Sequence, residues 1–214
     1  MSSNTREGTI VAARARREPG TAATAKRNQV VRQAAALFDD AGYHNTGVAD
    51  IAAAAGISKP TLYHYFASKD EILFWIHEEY MDELIARQER RAHISISPST
   101  CLLELMSDML QMTETRPGVR VFHEHLRELR PDQQQLVREK RERYQSMVES
   151  VISEGVAAGE LRALDPRLTA LALFGMVNWA YQWFRTDGPL GSREIAYFFW
   201  DVFLNGAAGG EPRP

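Results

Sequence analysis

Between positions 58 and 69 the chain sets out Ser58, Lys59, Thr61, Tyr63, His64 and Lys69. These are short hydrogen-bond donors, cations and flat rings. Together they suit phosphate oxygens and base edges in the major groove of DNA. The same residue types also cover the polar side of any small helical unit, so spacing alone leaves both readings open. Charge leans to the first. Residues 1–66 hold 8 Lys/Arg against 5 Asp/Glu, whereas the remainder holds 17 against 23, within a net charge of −3. The basic end is where a polyanion would dock.

Helices must position these groups. From Thr24 onward Val30, Ala34, Leu37, Phe38 and Ala41 fall on one helical face. Gly42 supplies a stop. Thr46 is expected to cap a short second helix, Val48 to Ala55, and Gly56 to permit a tight turn. Ser58 then caps a third helix whose first turn tolerates Pro60. Ile51, Ala52 and Ala55 form a small-residue face, and Ile57, Leu62 and Phe66 close the core behind the polar side. Ser68-x-x-Glu71 reads as a capping box for a fourth helix running to about Arg91. Further helices are expected at about 98–114, 118–129, 131–158, 166–184 and 192–205, with prolines at their boundaries. No stretch sustains a period of two, so the expected fold is all-α with about nine helices.

The middle of this pattern is more specific than a generic helix-turn-helix. Gly42-Tyr43, Thr46, Asp50-Ile51-Ala52, Ala55 to Lys59, Thr61 to Phe66 and Ser68 to Leu73 closely resemble the DNA-binding signature of the TetR family of bacterial repressors. The resemblance implies that Thr46, Ser58, Lys59, Pro60, Thr61, Tyr63, His64 and Lys69 lie at the DNA interface. Pro60 stands where many members have Gly. Residues 1–23 carry no sustained period, are broken at Pro19-Gly20 and read as a disordered arm ahead of a helix-turn-helix domain at 24–70. A ligand-binding and dimerisation domain would follow at 71–206, then a flexible tail at 207–214. The family pattern implies a homodimer through the last two long helices, bound to a palindromic double-stranded operator.

Residues 166–185 are apolar on more than one side, and such a helix is buried on several sides. Asn178, Gln182 and Arg185 form a polar stripe on it, which then needs a ligand, a second subunit or rim water as partner. Trp179 and Trp183 lie on an apolar stripe. Phe122, His125 and Arg127 on the middle helix, with Arg162, complete the candidate ligand residues. The segment Gly175 to Arg185, with Asp187 to Leu190 and Glu194 to Ala196, resembles actinobacterial TetR-type repressors of sterol and fatty-acid breakdown. Some of those are released by acyl-CoA thioesters. An apolar ligand with an anionic head, met by Arg127, Arg162 or Arg185, fits this resemblance. A flat neutral compound fits the aromatics equally.

No nucleotide-binding or catalytic signature occurs, and His77-Glu78-Glu79 has no second histidine at zincin spacing. His123 and His125 do not share a helix face, so they form no metal pair. The lone Cys101 excludes a multi-cysteine site. An enzyme, a cofactor and a metal are therefore not expected. No apolar run reaches membrane-spanning length. With no secretory signal ahead of the fold, a cytoplasmic protein is expected. An activator of the same architecture is the alternative to a repressor, and a non-catalytic helical adaptor is the remote one.

Overall fold

The computed structural model describes residues 21–206. Among these the regular structure is all-helical. The N-terminal unit contains α1 (Thr21–Ala41), α2 (Val48–Ala54) and α3 (Lys59–Tyr65). The long α4 (Lys69–Arg91) leads into α5 (Pro98–Thr115) and a short α6 (Val119–Glu124). Then come a 3-10 turn (Leu126–Glu128), α7 (Pro131–Ala157), α8 (Pro166–Asn178), a second 3-10 turn (Trp179–Gln182) and α9 (Ser192–Asn205). The first helix already begins at Thr21, inside the expected arm. The rest of that arm and the tail 207–214 lie outside the described residues.

Several helix starts follow local chemistry. Ser58 Oγ accepts the Thr61 N–H at 3.2 Å and Ser68 Oγ the Glu71 N–H at 3.2 Å. Asp165 Oδ1 accepts the Leu168 N–H at 2.7 Å, with Pro166 in the first turn. The second helix is an exception. Thr46 does not cap it; Gly47 holds the cap position, and its N–H donates to the Asp50 carboxylate at 2.8 Å. The Thr46 hydroxyl faces inward, 2.9 Å from the Gly42 carbonyl and 3.3 Å from that of Leu37, and closes the end of α1.

Two expected helices are shorter than their periodicity implies. The 118–129 segment breaks at His125, whose backbone leaves the helical region, and resumes as the 3-10 turn. The 166–184 segment is α-helical only to Asn178. Beyond it the chain tightens to three residues per turn, burying Ala180 and laying Tyr181 on the His123 ring. The apolar stripe that carries Trp179 and Trp183 also holds Leu168 and Ala172, and it faces outward along its length.

Two cores result. Ile51, Leu62, Phe66, Ile72, Leu73 and Ile76 belong to the N-terminal one. Tyr80, Met81, Leu84, Ile85, Leu105, Met106, Val148 and Leu173 belong to the second. The fourth helix serves both. In the second core α7 packs against α4, α5 and α8, while α9 lies along α5. The α5–α9 pair is antiparallel: Ser192 Oγ donates to Glu114 at 2.5 Å and Trp200 Nε1 to the Ser99 carbonyl at 2.9 Å.

The cores are locked together at Gly118. Its N–H donates to Asp39 Oδ2 at 2.6 Å, and its φ is +90°. A Cβ there would stand 3.0 Å from both Ala35 Cβ and Ile76 Cγ2. Gly118→Ala is expected to cost about 1–3 kcal/mol, from left-handed strain plus overpacking. Urea denaturation checks this; a change below about 0.5 kcal/mol, typical of an ordinary surface site, would contradict it.

Candidate nucleic-acid interface and ligand site

The third helix lies with Leu62 fully buried and Lys59, Pro60, Tyr63 and His64 exposed. Tyr63 is 47% exposed although it is a large ring that follows the fully buried Leu62. Ser58 and Thr61 are held by each other, their hydroxyls 2.7 Å apart, which fixes the N-terminal turn that presents Lys59. Gly56, at φ +63°, turns the chain between α2 and α3.

Two residues expected at this face are engaged inside. Thr46 is buried for the reason given above. Lys69 Nζ donates to the carbonyls of Tyr43 at 2.9 Å and Thr46 at 3.2 Å, and lies 4.2 Å from the Tyr43 ring centroid. The Tyr43 hydroxyl in turn donates to Asp70 at 2.7 Å. This ammonium thus ties the α1–α2 loop to the start of α4.

The second domain has a buried polar centre that periodicity did not bring forward. His77 is fully buried, with neither ring nitrogen partnered. Its ring is 5.2 Å from that of Phe122, which stacks on Tyr80 at 4.0 Å. Arg141 lies over the same Phe122 ring at 4.4 Å and donates through Nη2 to the Phe122 carbonyl at 2.9 Å. Its Nε has no partner, and one turn further along α7 the buried Tyr144 hydroxyl is also unpartnered. Buried polar atoms ordinarily find partners, so a cluster of orphans calls for an explanation. The signal was present in the sequence. His77 sits on the stripe Leu73, Ile76, Tyr80, Leu84, and Arg141 on the stripe Val137, Tyr144, Val148.

Burial, with the Arg141 charge second, pushes the His77 imidazole down to about 3. The same two causes hold His123 at about 4. Both rings are neutral at pH 7. His123 stacks on Tyr181 at 4.7 Å, and Tyr181 borders an open cleft of about 360 Å³. Arg116, Arg120 and Arg185 line that cleft together with Asp39 and Asp187. The stack of Tyr181 on His123 thus stands between this arginine-lined cleft and the buried polar centre.

The expected ligand residues divide accordingly. Phe122 is at the centre, and Arg185 is at the cleft. Arg185 is exposed, however, and paired with Asp187 at 2.9 Å, so the polar stripe is not buried as expected. Gln182 is exposed too and donates to Glu124 at 3.3 Å, while Asn178 is half-buried. Trp179 and Trp183 are 62% and 47% exposed and join Leu168, Leu171, Tyr197 and Phe198 on the outer side of α8 and α9. Arg127 is exposed on the 3-10 turn. Arg162 follows Leu161, which packs beside Gly155 and Pro98 at the opposite end of α5 from the cleft. His125 faces Tyr43 and His44 at the domain junction rather than the centre.

Known proteins share this fold. Residues 30–75 match the family model for bacterial regulatory proteins of the tetR family, and residues 97–207 match that for the tetracyclin repressor-like C-terminal domain. The HTH-type transcriptional repressor KstR2 of Mycolicibacterium smegmatis is 27% identical over 85% of this chain and 90% of its own. The TetR-family regulator PfmR from Thermus thermophilus superposes with a TM-score of 0.78 at 32% identity, over 84% of this chain and 98% of its own. AibR, whose structure holds isovaleryl coenzyme A and operator DNA, does so at 0.75 and 27%, with the same coverage.

The neutral histidines make stability acid-sensitive. In the unfolded chain each would take a proton below about pH 6.5, while in the fold His77 stays neutral to about 3. The unfolded state then binds more protons, so stability is full above pH 6.5 and falls as pH drops toward 3. Each histidine adds a slope of up to about 1.4 kcal/mol per pH unit. Denaturation of His77→Met between pH 4.5 and 7 should show an acid limb shallower by up to one proton; an unchanged slope would contradict neutral burial.

Proposed function

Because the chain belongs to the TetR family of bacterial regulatory proteins, it is a helix-turn-helix transcriptional regulator and not an enzyme; we propose that it is a repressor released from its operator by an acyl-CoA thioester. The observation that carries the ligand class is the three-arginine cleft, one aromatic stack away from the orphaned polar atoms of His77 and Arg141. Guanidinium groups suit phosphate oxygens, so Arg116, Arg120 and Arg185 receive the anionic head. The acyl group displaces the Tyr181–His123 stack and enters the apolar centre, where the orphaned donors meet its thioester carbonyl. The isovaleryl coenzyme A in AibR and the likeness to KstR2 support this reading.

Lys59, Pro60, Tyr63 and His64 face the DNA, with Ser58 and Thr61 holding the turn that presents them. Lys69 and Thr46 act by positioning that unit. The exposed Leu168 and Phe198, 67% and 64% accessible, lie with Trp179 and Trp183 on a face that a second copy covers. Two recognition helices in a two-fold dimer then meet successive major grooves about 34–36 Å apart.

Two measurements test this. With an operator recovered by selection from random duplexes, Lys59→Ala should lower the salt dependence of binding by about 0.9 for each phosphate that is no longer neutralised. Lys69→Ala should weaken binding and stability with the slope unchanged; a slope reduced like that of Lys59→Ala would contradict its positioning role. Release by saturated acyl-CoAs should strengthen about fourfold per added methylene, since each buried CH₂ contributes about 0.8 kcal/mol. A flat chain-length profile, or release by a neutral apolar compound alone, would contradict the acyl-CoA reading.

A further inference from the structure

At the junction of the two domains lies the one group of three potential metal ligands among the described residues: His44, His125 and Glu128. His44 belongs to the loop between α1 and α2, whereas His125 precedes the 3-10 turn of the other domain and Glu128 ends it. One ligand atom from each lies within 4.8 Å of the others. His44 Nε2 and Glu128 Oε1 are 3.4 Å apart. That is long for a hydrogen bond. It matches the separation of about 3.3–3.4 Å for two ligands at roughly 2.0–2.1 Å from a tetrahedral ion.

The scaffold is already set. The buried Tyr43 ring packs against both imidazoles, at 5.3 Å from His44 and 5.2 Å from His125. Tyr43 is itself fixed by Asp70 and Lys69. The Glu128 N–H donates to the His125 carbonyl at 3.2 Å, holding that turn. No hydrogen bond within the chain competes for the His125 ring among the described residues.

We propose that His44, His125 and Glu128 bind a divalent transition-metal ion of the zinc type, with water completing a tetrahedron. Two imidazoles and one carboxylate suit such an ion, whereas magnesium and calcium prefer all-oxygen shells. The ion joins the DNA-reading unit to the effector domain across their junction, so its binding alters operator affinity independently of the ligand at the arginine-lined cleft.

The test is zinc titration of untagged protein against a chelating indicator dye, with cobalt(II) absorption as a geometric check. Wild type should take up one Zn²⁺ per chain and give a tetrahedral cobalt spectrum. His44→Ala, His125→Ala and Glu128→Gln should each weaken zinc binding by at least about tenfold. The exposed His93→Ala serves as the control and should bind as wild type. Should His125→Ala fail to fold by circular dichroism, the exposed His44 carries the test. Wild-type affinity in His44→Ala and Glu128→Gln, or wild-type uptake no tighter than that of His44→Ala, would overturn the proposal.

Discussion

The rest of the molecule depends on one helix being buried in two cores. Ile72, Leu73 and Ile76 at the start of α4 fill the space behind the recognition helix, and Tyr80, Met81, Leu84 and Ile85 further along fill the effector core. The helix has 23 residues and contains neither proline nor glycine. At 1.5 Å per residue it is a rod of about 35 Å. A displacement at one end is therefore carried to the other as a tilt, because close-packed interiors do not deform continuously. His77 lies where the two halves meet, and its burial forbids a charge there.

Under the proposed function, this rod gives the effector site a means of acting on DNA. Residues of the polar centre come from α4, α6 and α7, so a ligand that separates them must shift α4 relative to α7. Moving the population from 1:99 to 99:1 takes about 5.5 kcal/mol of differential affinity. At about 0.8 kcal/mol per CH₂, about seven methylenes buried in only the released state would suffice. Orphaned donors gaining a carbonyl partner add to that difference, since unpaired buried polar groups are costly.

Much of this was legible in the sequence where chemistry is local. Ser58 and Ser68 announced their helices because a cap needs only the next three residues. The all-helical fold followed from the periodicity, and the family from the resemblance carried between Gly42 and Leu73. What failed was inference about what a helix face meets. Lys69 has the type of a phosphate contact, yet two carbonyls and the Tyr43 ring hold it inward. Thr46 has the type of a cap, but the end of α1 competes for its hydroxyl. Trp179 and Trp183 lie with Leu168 on an outward face, because an apolar stripe does not say whether it meets the chain's own core. The meeting of His44 with His125 arises from tertiary packing across the domain junction, beyond the reach of any local period.

If an acyl-CoA and the operator bias α4 in opposite directions, their bindings are coupled, and coupling is reciprocal. The most direct measurement is the affinity of one medium-chain acyl-CoA for the free protein and for the preformed operator complex, by titration calorimetry. Operator DNA should weaken ligand binding by the same factor by which saturating ligand weakens DNA binding. Equal acyl-CoA affinity with and without operator would contradict the coupling through α4.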